Sequence, residues 1–215
     1  MRPLTLATPK HLLPMLGKPL LAHTIDSLPQ EITELLIVTD YLREQIESYF
    51  GSSWHGRSVR YVRQPQKLGT YRALELCKDQ LADDFFLVLY EDLFGPKTYS
   101  DLVGAGRTAI VVAEVADPRR FGVVALREDG TVLEIEEKPE HPKTNLANAG
   151  PNLLTKAIFD YPPPKHRNGE YVLAESVSLF ARTNPVYVVQ ADWWIPIGYP
   201  EDLKKAEAFL KEMKL

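Results

Sequence analysis

The 215-residue sequence has little cysteine, no long apolar run and no excess of positive charge. Its one cysteine, Cys77, cannot form an internal disulfide, and its place in a helical pattern between Leu74 and Leu81 predicts a buried thiol. No stretch approaches the roughly 18 apolar residues of a membrane span, and no signal-peptide pattern is visible, so we expect a cytoplasmic protein without a membrane partner. A net charge of -4 argues against a nucleic-acid-binding surface.

Apolar residues recur with two different periods in the first half of the chain. Helical spacing predicts helices over residues 20–28, 41–50 and 71–81, and short apolar runs predict strands over residues 35–39, 59–62 and 85–90. Because strand and helix alternate three times, we expect a parallel, doubly wound α/β sheet.

The second half of the chain has a different pattern, with more strands than helices. Glu128-Asp129-Gly130 is a strong hairpin signal between predicted strands over residues 122–126 and 131–135. The pattern also predicts a strand over residues 109–115, a helix over 170–181, a strand over 186–189 and a helix over 200–213. The length fits a single domain, residues 1–215, with halves of about 1–105 and 106–215.

Polar segments follow several of the predicted strands. In doubly wound sheets, ligands bind beyond the carboxyl ends of the strands, where we expect residues 64–70, Asp92 and the proline-bracketed loop of Lys10. Each segment also has an ordinary interpretation. Lys10 fits a solvated surface charge, Asp92 a helix cap and residues 64–70 a simple turn.

The order of these segments resembles the sugar-phosphate nucleotidylyltransferases, which join a nucleoside triphosphate to a sugar 1-phosphate. The nearest types are the glucose-1-phosphate thymidylyl- and uridylyltransferases and the mannose-1-phosphate guanylyltransferases. The matching motifs are R-P-L-T-x-x-T-P-K-x-L-L-P-x-x-G-K-P-L-L from residue 2, Q-x-x-x-L-G-T at 64–70, G-D-x-x-F near 90–94, G-V-V at 122–124, E-K-P at 137–139 and N-A-G at 148–150. The resemblance implies a three-layer α/β/α sandwich around a Rossmann-like mixed sheet.

The resemblance also implies roles for particular residues. Lys10 and Lys138 would be catalytic and would neutralise phosphate charge. Gln64, Gly69 and Thr70 would bind the nucleotide, and Gln64, which can pair with the imide edge of a pyrimidine, favours UTP or dTTP. The residues implied for the sugar phosphate are Glu137, Asn148, Gly150 and Glu170.

A magnesium ion is the implied cofactor, with Asp92 as its carboxylate ligand. Magnesium usually takes one or two protein carboxylates and completes its shell with phosphate oxygens and water. In the segment Tyr90-Glu91-Asp92-Leu93-Phe94 we match Asp92 to the aspartate of G-D-x-x-F and regard Glu91 as a replacement for its glycine. Pro196 stands where the family has a second metal-binding aspartate. Either another acid, such as Asp192, Glu91 or Glu201, replaces it, or Asp92 and phosphates alone hold the ion, or the chain is not catalytic.

The family's glycine-rich turn and the strand before it are absent, and Met1 stands where the turn would end. Three hypotheses follow. The chain is a nucleotidylyltransferase shortened at its N-terminus, a catalytically silent regulatory or binding subunit, or a glycosyltransferase of similar fold. The third fits least, because Glu91-Asp92 lacks D-x-D spacing. Loss of the strand would leave backbone groups unpaired, so we expect reduced stability or self-association into a homo-oligomer.

Overall fold

The computed structural model describes residues 1, 3–81, 85–166 and 168–213. Its strands are β1 (Pro14–Met15), β2 (Lys18–Pro19), β3 (Glu34–Thr39), β4 (Ser53–Trp54), β5 (Arg57–Arg63), β6 (Phe85–Val88), β7 (Leu93–Phe94), β8 (Ala109–Glu114), β9 (Gly122–Leu126), β10 (Val132–Glu137), β11 (Leu146–Thr155), β12 (Tyr187–Gln190) and β13 (Trp194–Ile195). Its α-helices are α1 (Leu20–Asp26), α2 (Arg43–Phe50), α3 (Thr70–Glu75), α4 (Pro96–Gly104), α5 (Leu173–Phe180) and α6 (Pro200–Met213). Short 3-10 turns cover Leu4–Leu6, Lys10–Leu12, Lys78–Gln80, Pro118–Arg120 and Lys156–Asp160.

The chain divides into two compact units, which we call the first and second unit. The first unit comprises Met1–Gln64, Glu91–Pro96 and Trp193–Leu215. In it, β3 and β5 pair in parallel, β4 pairs antiparallel with β5, and two small antiparallel ladders join β1 to β2 and β7 to β13. Apolar residues from the start, the middle and the end of the sequence form its core: Met15, Leu20, Leu93, Ile197, Ala206 and Leu210.

The second unit comprises Pro65–Tyr90 and Lys97–Asp192. Its six-stranded mixed sheet has the order β10-β9-β11-β8-β12, with β6 paired to the last residues of β11. The centre of the sheet is β11, which shifts register between Asn148 and Asn152. Helices α3 and α5 contribute Tyr71, Leu74, Leu173, Val177 and Phe180 to the apolar core of this unit. The side chain of Cys77 is buried, as predicted, and burial raises its pKa to about 11.

Most of the predicted helices and strands are present, and several differ from the prediction in their bounds or in their pairing. Helix α3 stops at Glu75 and continues only as a 3-10 turn, and α5 begins at Leu173, three residues late. The expected parallel sheet is wrong for β6, which pairs antiparallel with β11. Strand β11 itself was not predicted, because an Asn-Ala-Gly-Pro-Asn segment is typical of a turn. Pairing on both sides of the strand overrides that local preference.

Strands β3 and β6, like the sheet-edge strands β10 and β12, each have only one strand neighbour within the residues that the structure describes. β3 pairs only with β5, and β6 pairs only with β11. Each strand therefore has one edge whose backbone groups meet no other strand of the described chain. The expected loss of a strand, with its effect on stability and self-association, stays a prediction. Among the described helices, none combines the length and the apolar composition that crossing a bilayer requires.

Candidate active site

The predicted lysine loop is a 3-10 turn that brings a lysine and a histidine side chain to one carboxylate. Pro9 is extended, and the turn Lys10–Leu12 closes with the Leu13 N–H donating to the Lys10 carbonyl over 3.1 Å. Lys10 Nζ lies 3.4 Å from Glu91 Oε2, and His11 Nε2 lies 3.1 Å from Glu91 Oε1. The three side chains are each between 26% and 28% exposed, so water partly screens this cluster.

Glu91 is the anion at the centre of this cluster. Burial raises the pKa of Glu91, but the positive charges of His11 and Lys10 outweigh burial and hold the pKa below its ordinary value. Glu91 is therefore ionised at neutral pH and pairs with Lys10.

Asp92, the predicted metal ligand, is held by the protein itself. Its Oδ1 accepts from the Ile197 N–H over 2.8 Å, and its Oδ2 accepts from the Trp194 indole N–H over 3.0 Å. Burial raises the pKa of Asp92 and these two hydrogen bonds lower it, with burial the larger effect. Asp92 thus fastens the β7–β13 ladder, in the same segment where Pro196 replaces the expected second acid. Its role as a metal ligand stays a prediction.

His11 is a residue of this cluster that our sequence interpretation missed, whereas that interpretation considered Glu91 only as one possible replacement for the acid absent at Pro196. In a G-D-x-x-F segment the acid stands three residues before the phenylalanine, and counting back from Phe94 gives Glu91, with Tyr90 in place of the glycine. The spacing therefore favours Glu91 over Asp92 as the residue that matches the aspartate of the motif. The ion pair of Glu91 with Lys10 favours the same match independently. No comparable signal marked His11.

Gly69 and Thr70 pack directly on the backbone after Glu170, in the second unit. Tyr171 donates from its N–H to the Leu68 carbonyl over 2.8 Å, and the Leu173 N–H donates to Thr70 Oγ1 over 2.9 Å. Gly69 has a φ of +96°, and a Cβ there would lie 2.5 Å from the Tyr171 carbonyl oxygen. The group that comes close to Gly69 in this structure is the protein's own backbone at Tyr171, and the role of Gly69 in binding the nucleotide stays a prediction.

The E-K-P and N-A-G segments meet around Gly122. A Cβ at Gly122 would lie 3.2 Å from Glu137 Oε2 and 3.6 Å from Asn148 Cβ, which shows that both side chains stand beside this glycine. Glu137 is 18% exposed and pairs at 3.5 Å with Lys138, whose side chain is 64% exposed. The Oδ1 atom of Asn148 is buried and has no hydrogen-bond partner in the described structure. A carboxylate and an unpaired amide oxygen thus lie beside Gly122, and the exposed cation Lys138 pairs with that carboxylate.

Gly150 lies in the register shift of β11, with Tyr90 against it. Gly150 has a φ of +125°, and a Cβ there would lie 3.0 Å from Tyr90 Cδ2. Burial and the nearby charge of Glu137 raise the pKa of the Tyr90 hydroxyl, which therefore stays protonated at neutral pH. Asn152, at the other end of the shift, is buried and donates from Nδ2 to the Gly150 carbonyl over 2.6 Å.

The remaining predicted site residues are Gln64 and Glu170. Gln64 follows β5 in the first unit, and its N–H donates to the Thr39 carbonyl over 2.9 Å. Glu170, in the second unit, accepts a hydrogen bond on Oε2 from Asn168 Nδ2 over 2.9 Å. The structure therefore groups Lys10 with Glu91, Gly69 and Thr70 with Glu170, and Lys138 with Glu137 and Asn148.

The described side chains offer a metal few ligands. No group of three or more His, Cys, Asp or Glu residues that could hold a metal ion occurs in the described ranges. Glu91 and Asp92 are adjacent oxygen donors, which fits magnesium bound through one or two carboxylates and substrate phosphates. Two carboxylates do not fit a metal ion that is held by protein ligands alone.

A family model for nucleotidyl transferases matches residues 1–213. The chain therefore belongs to the nucleotidyl transferase family. It is 33% identical over 225 residues to the UTP--glucose-1-phosphate uridylyltransferase AglF of Haloferax volcanii, covering 99% of this chain and 92% of that protein. It is 31% identical over 213 residues to the bifunctional protein GlmU of Methanocaldococcus jannaschii, covering 98% of this chain and 51% of that protein.

The fold of this nucleotidyl transferase family member is also similar to that of a solved structure. A candidate glucose-1-phosphate thymidylyltransferase from Bacillus anthracis, solved with sucrose, matches 99% of this chain and 90% of its own with a TM-score of 0.88 and 27% identity. The predicted family, the predicted enzyme class and the α/β fold class are confirmed. The chain spans about half the length of the bifunctional relative and nearly all of the uridylyltransferase.

Proposed function

We propose that this nucleotidyl transferase family member joins a nucleoside triphosphate to a sugar 1-phosphate and releases pyrophosphate. The observation that carries the proposal is the cluster of Glu137, Lys138 and Asn148 around Gly122. It offers a sugar phosphate a cation for its phosphate, and a carboxylate and an unpaired amide oxygen for its hydroxyl groups. The surrounding motifs occur in the order typical of the family.

The proposed reaction is an in-line displacement at the α-phosphorus. A phosphate oxygen of the sugar 1-phosphate forms the new P–O bond, and the bond to the β-phosphate breaks, so that pyrophosphate leaves with the electron pair. In such transfers the protein mainly positions the groups and neutralises charge. Lys10 would neutralise charge on the triphosphate, and Lys138 would neutralise charge on the sugar phosphate.

A divalent cation fits this proposal. Asp92, and more favourably Glu91, would hold a magnesium ion, which would supply positive charge to the phosphate oxygens when bound. The protein's own part is to keep Glu91 ionised beside Lys10 and His11. If Glu91 holds the metal, Lys10 is released to contact phosphate.

The nucleotide we propose is UTP or dTTP. Gln64 has both a donor and an acceptor for the imide edge of a pyrimidine, and Gly69 and Thr70 complete the segment. The uridylyltransferase named among the relatives supports the same choice. Because nucleoside triphosphates are the proposed substrates, we propose that the reaction takes place in the cytoplasm.

A second candidate is a catalytically silent regulatory or binding subunit. Two observations favour it: Pro196 has no side-chain oxygen, and both carboxylate oxygens of Asp92 already accept hydrogen bonds. A related proposal is that activity needs a further strand before Met1. The edge of β3 that pairs with no strand of the described chain supports self-association through a strand edge.

Pyrophosphate release tests these candidates. Purified protein would be given magnesium, one of several triphosphates and one of several sugar 1-phosphates. The same assay would be run on a chain extended upstream to the preceding in-frame start. We expect Lys10→Met to lower the rate by about 100-fold, as removing one well-placed charge does. The control is Lys97→Met, because Lys97 is 69% exposed and pairs with Asp101 on the surface of α4.

The outcomes separate the candidates. Release by the given chain or only by the extended chain, lost in Lys10→Met, supports the enzyme. Silence of both forms, with retained binding of a nucleotide sugar, supports the binding subunit. Equal rates for Lys10→Met and Lys97→Met would contradict the role of Lys10.

A further inference from the structure

Glu170, which the family resemblance predicts to bind the sugar phosphate, ends a tight turn in the second unit. The His166 N–H donates to the Glu170 carbonyl over 2.8 Å, and the Gly169 N–H donates to the His166 carbonyl over 2.8 Å. The Glu170 N–H donates to Asn168 Oδ1 over 3.0 Å, and Asn168 Nδ2 donates to Glu170 Oε2 over 2.9 Å. We call this segment, from His166 to Glu170, the His166 turn. Its hydrogen bonds fix the backbone of Glu170 and hold one of its carboxylate oxygens.

The chain directly after Glu170 is held by the segment that contains Gly69. The Tyr171 N–H donates to the Leu68 carbonyl over 2.8 Å, and the Tyr71 N–H donates to the Tyr171 carbonyl over 3.0 Å. A Cβ at Gly69 would lie 3.0 Å from Glu170 Cβ, so Glu170 stands beside the predicted nucleotide-binding segment. One end of the His166 turn is therefore fixed by contacts between backbone groups.

The other end of the His166 turn is fixed by a side chain. His166 Nδ1 lies 2.9 Å from Oε1 of Glu175, in the first turn of α5. Because a carboxylate can only accept, the imidazole donates from Nδ1. The two side chains are 19% and 21% exposed, and Glu175 Oε2 is buried without a hydrogen-bond partner in the described structure. Loss of the imidazole would therefore take a donor from a mostly buried carboxylate and detach this end of the turn from the helix.

We propose that His166 is a positioning residue that holds the Glu170 carboxylate in place for a hydroxyl group of the sugar. It acts through the His166 turn, which its contact with Glu175 fastens to α5. The inference rests on the proposed function. Because the role of His166 is to place Glu170, its effect on sugar binding should disappear when the Glu170 carboxylate is absent.

The test is calorimetric binding of two probes to the purified chain: UDP-glucose, which carries the sugar, and UMP, which lacks it. His166→Leu removes the donor to Glu175. We expect it to weaken UDP-glucose about fivefold, the size of one net hydrogen bond, and UMP by less than about twofold. His166→Asn keeps an N–H donor close to the place of Nδ1, so we expect it to restore the affinity of the parent chain.

Two further variants show whether the effect passes through Glu170. In a Glu170→Ala background the carboxylate is gone, so adding His166→Leu should weaken UDP-glucose no further. Glu175→Met removes the same contact from the side of the helix and should act like His166→Leu. Thermal unfolding shows which variants are folded at the temperature of the titrations.

A matched control is His55→Leu. His55 Nδ1 lies 3.3 Å from Asp26 Oδ1 in the first unit, so this variant loses another contact between a histidine and a carboxylate. We expect it to bind UDP-glucose and UMP like the parent chain.

The outcomes separate a positioning role from a merely structural one. A loss for UDP-glucose alone, absent from His166→Asn and from the Glu170→Ala background, supports the positioning role. A loss that persists in the Glu170→Ala background overturns it, because His166 then acts elsewhere. Equal weakening of UMP and UDP-glucose also overturns it, because the whole unit is then loosened, and so does an unchanged affinity for UDP-glucose. If the parent chain does not bind UDP-glucose, the proposed function itself fails, and the positioning role with it.

Discussion

Lys10 and Glu91, 81 positions apart in the sequence, form an ion pair with 3.4 Å between Nζ and Oε2. The acid neutralises the lysine that we propose for the triphosphate, with His11 on its other oxygen. An incoming phosphate and Glu91 therefore compete for the same cations unless a metal ion takes the carboxylate.

Glu91→Gln tests this competition. Without metal, in EDTA, we expect the variant to bind inorganic tripolyphosphate several-fold more tightly, because Lys10 and His11 lose their anionic partner. With magnesium, we expect the activity to fall, because the variant lacks the carboxylate that we favour as the ligand of the metal ion. Calorimetry and the pyrophosphate assay measure the two effects.

Two variants control the Glu91 experiment. Glu134→Gln removes an exposed carboxylate that pairs with Lys143, and should leave tripolyphosphate binding unchanged. Asp92→Asn places an amide where the Trp194 N–H now donates, so it should lower the unfolding temperature instead. If Asp92→Asn abolishes the magnesium effect and Glu91→Gln does not, Asp92 is the metal ligand and our preference for Glu91 is wrong.

Gly69→Ala should destabilise the chain more than the same change at another glycine of positive φ. Its Cβ would lie 2.5 and 2.7 Å from the Tyr171 carbonyl oxygen and nitrogen, whereas a Cβ at Gly130, with φ of +80°, meets nothing within 4 Å. Both variants carry the backbone strain, of about 1 kcal/mol. We expect Gly69→Ala to cost about 2 kcal/mol more, measured by urea unfolding. Equal losses would show that the Tyr171 contact relaxes easily.

Asp26 should stabilise the first unit at neutral pH and not in acid. Burial would raise the pKa of Asp26, but hydrogen bonds from Lys18 at 2.7 Å and the Trp54 indole at 3.0 Å outweigh it, so the folded pKa lies below the ordinary value. A lowered pKa contributes stability above the unfolded value, about 3.8, which is lost as the pH falls through the folded pKa.

The measurement is urea unfolding of the parent chain and of Asp26→Asn at two pH values. At pH 7 we expect the variant to be less stable by about 1 kcal/mol, because a charge-assisted pair is lost. In acid, once the pH is below the folded pKa of Asp26, the two proteins should converge in stability. A difference that persists in acid would show that Asp26 acts through hydrogen-bond geometry and not through its charge.

The local patterns of the sequence determined much of the secondary structure of this protein. Helical spacing was enough to predict α1, α2 and α6, and short apolar runs were enough to predict β3 and β5. The Asp129-Gly130 pair was enough to predict the hairpin between β9 and β10. These elements depend on near neighbours, so their signals survive without knowledge of the fold. The order of the motifs was likewise enough for the family.

Tertiary structure alone decided the features that depend on distant partners. Strand β11 exists because strands pair with it on both sides, although its own residues favour a turn. Neighbouring Glu91 and Asp92 have different roles because one meets Lys10 and the other meets Trp194, and residues so far apart in sequence leave no periodic signal. The close contacts of Gly69 with Tyr171, and of Gly150 with Tyr90, likewise follow from how the folded chain packs.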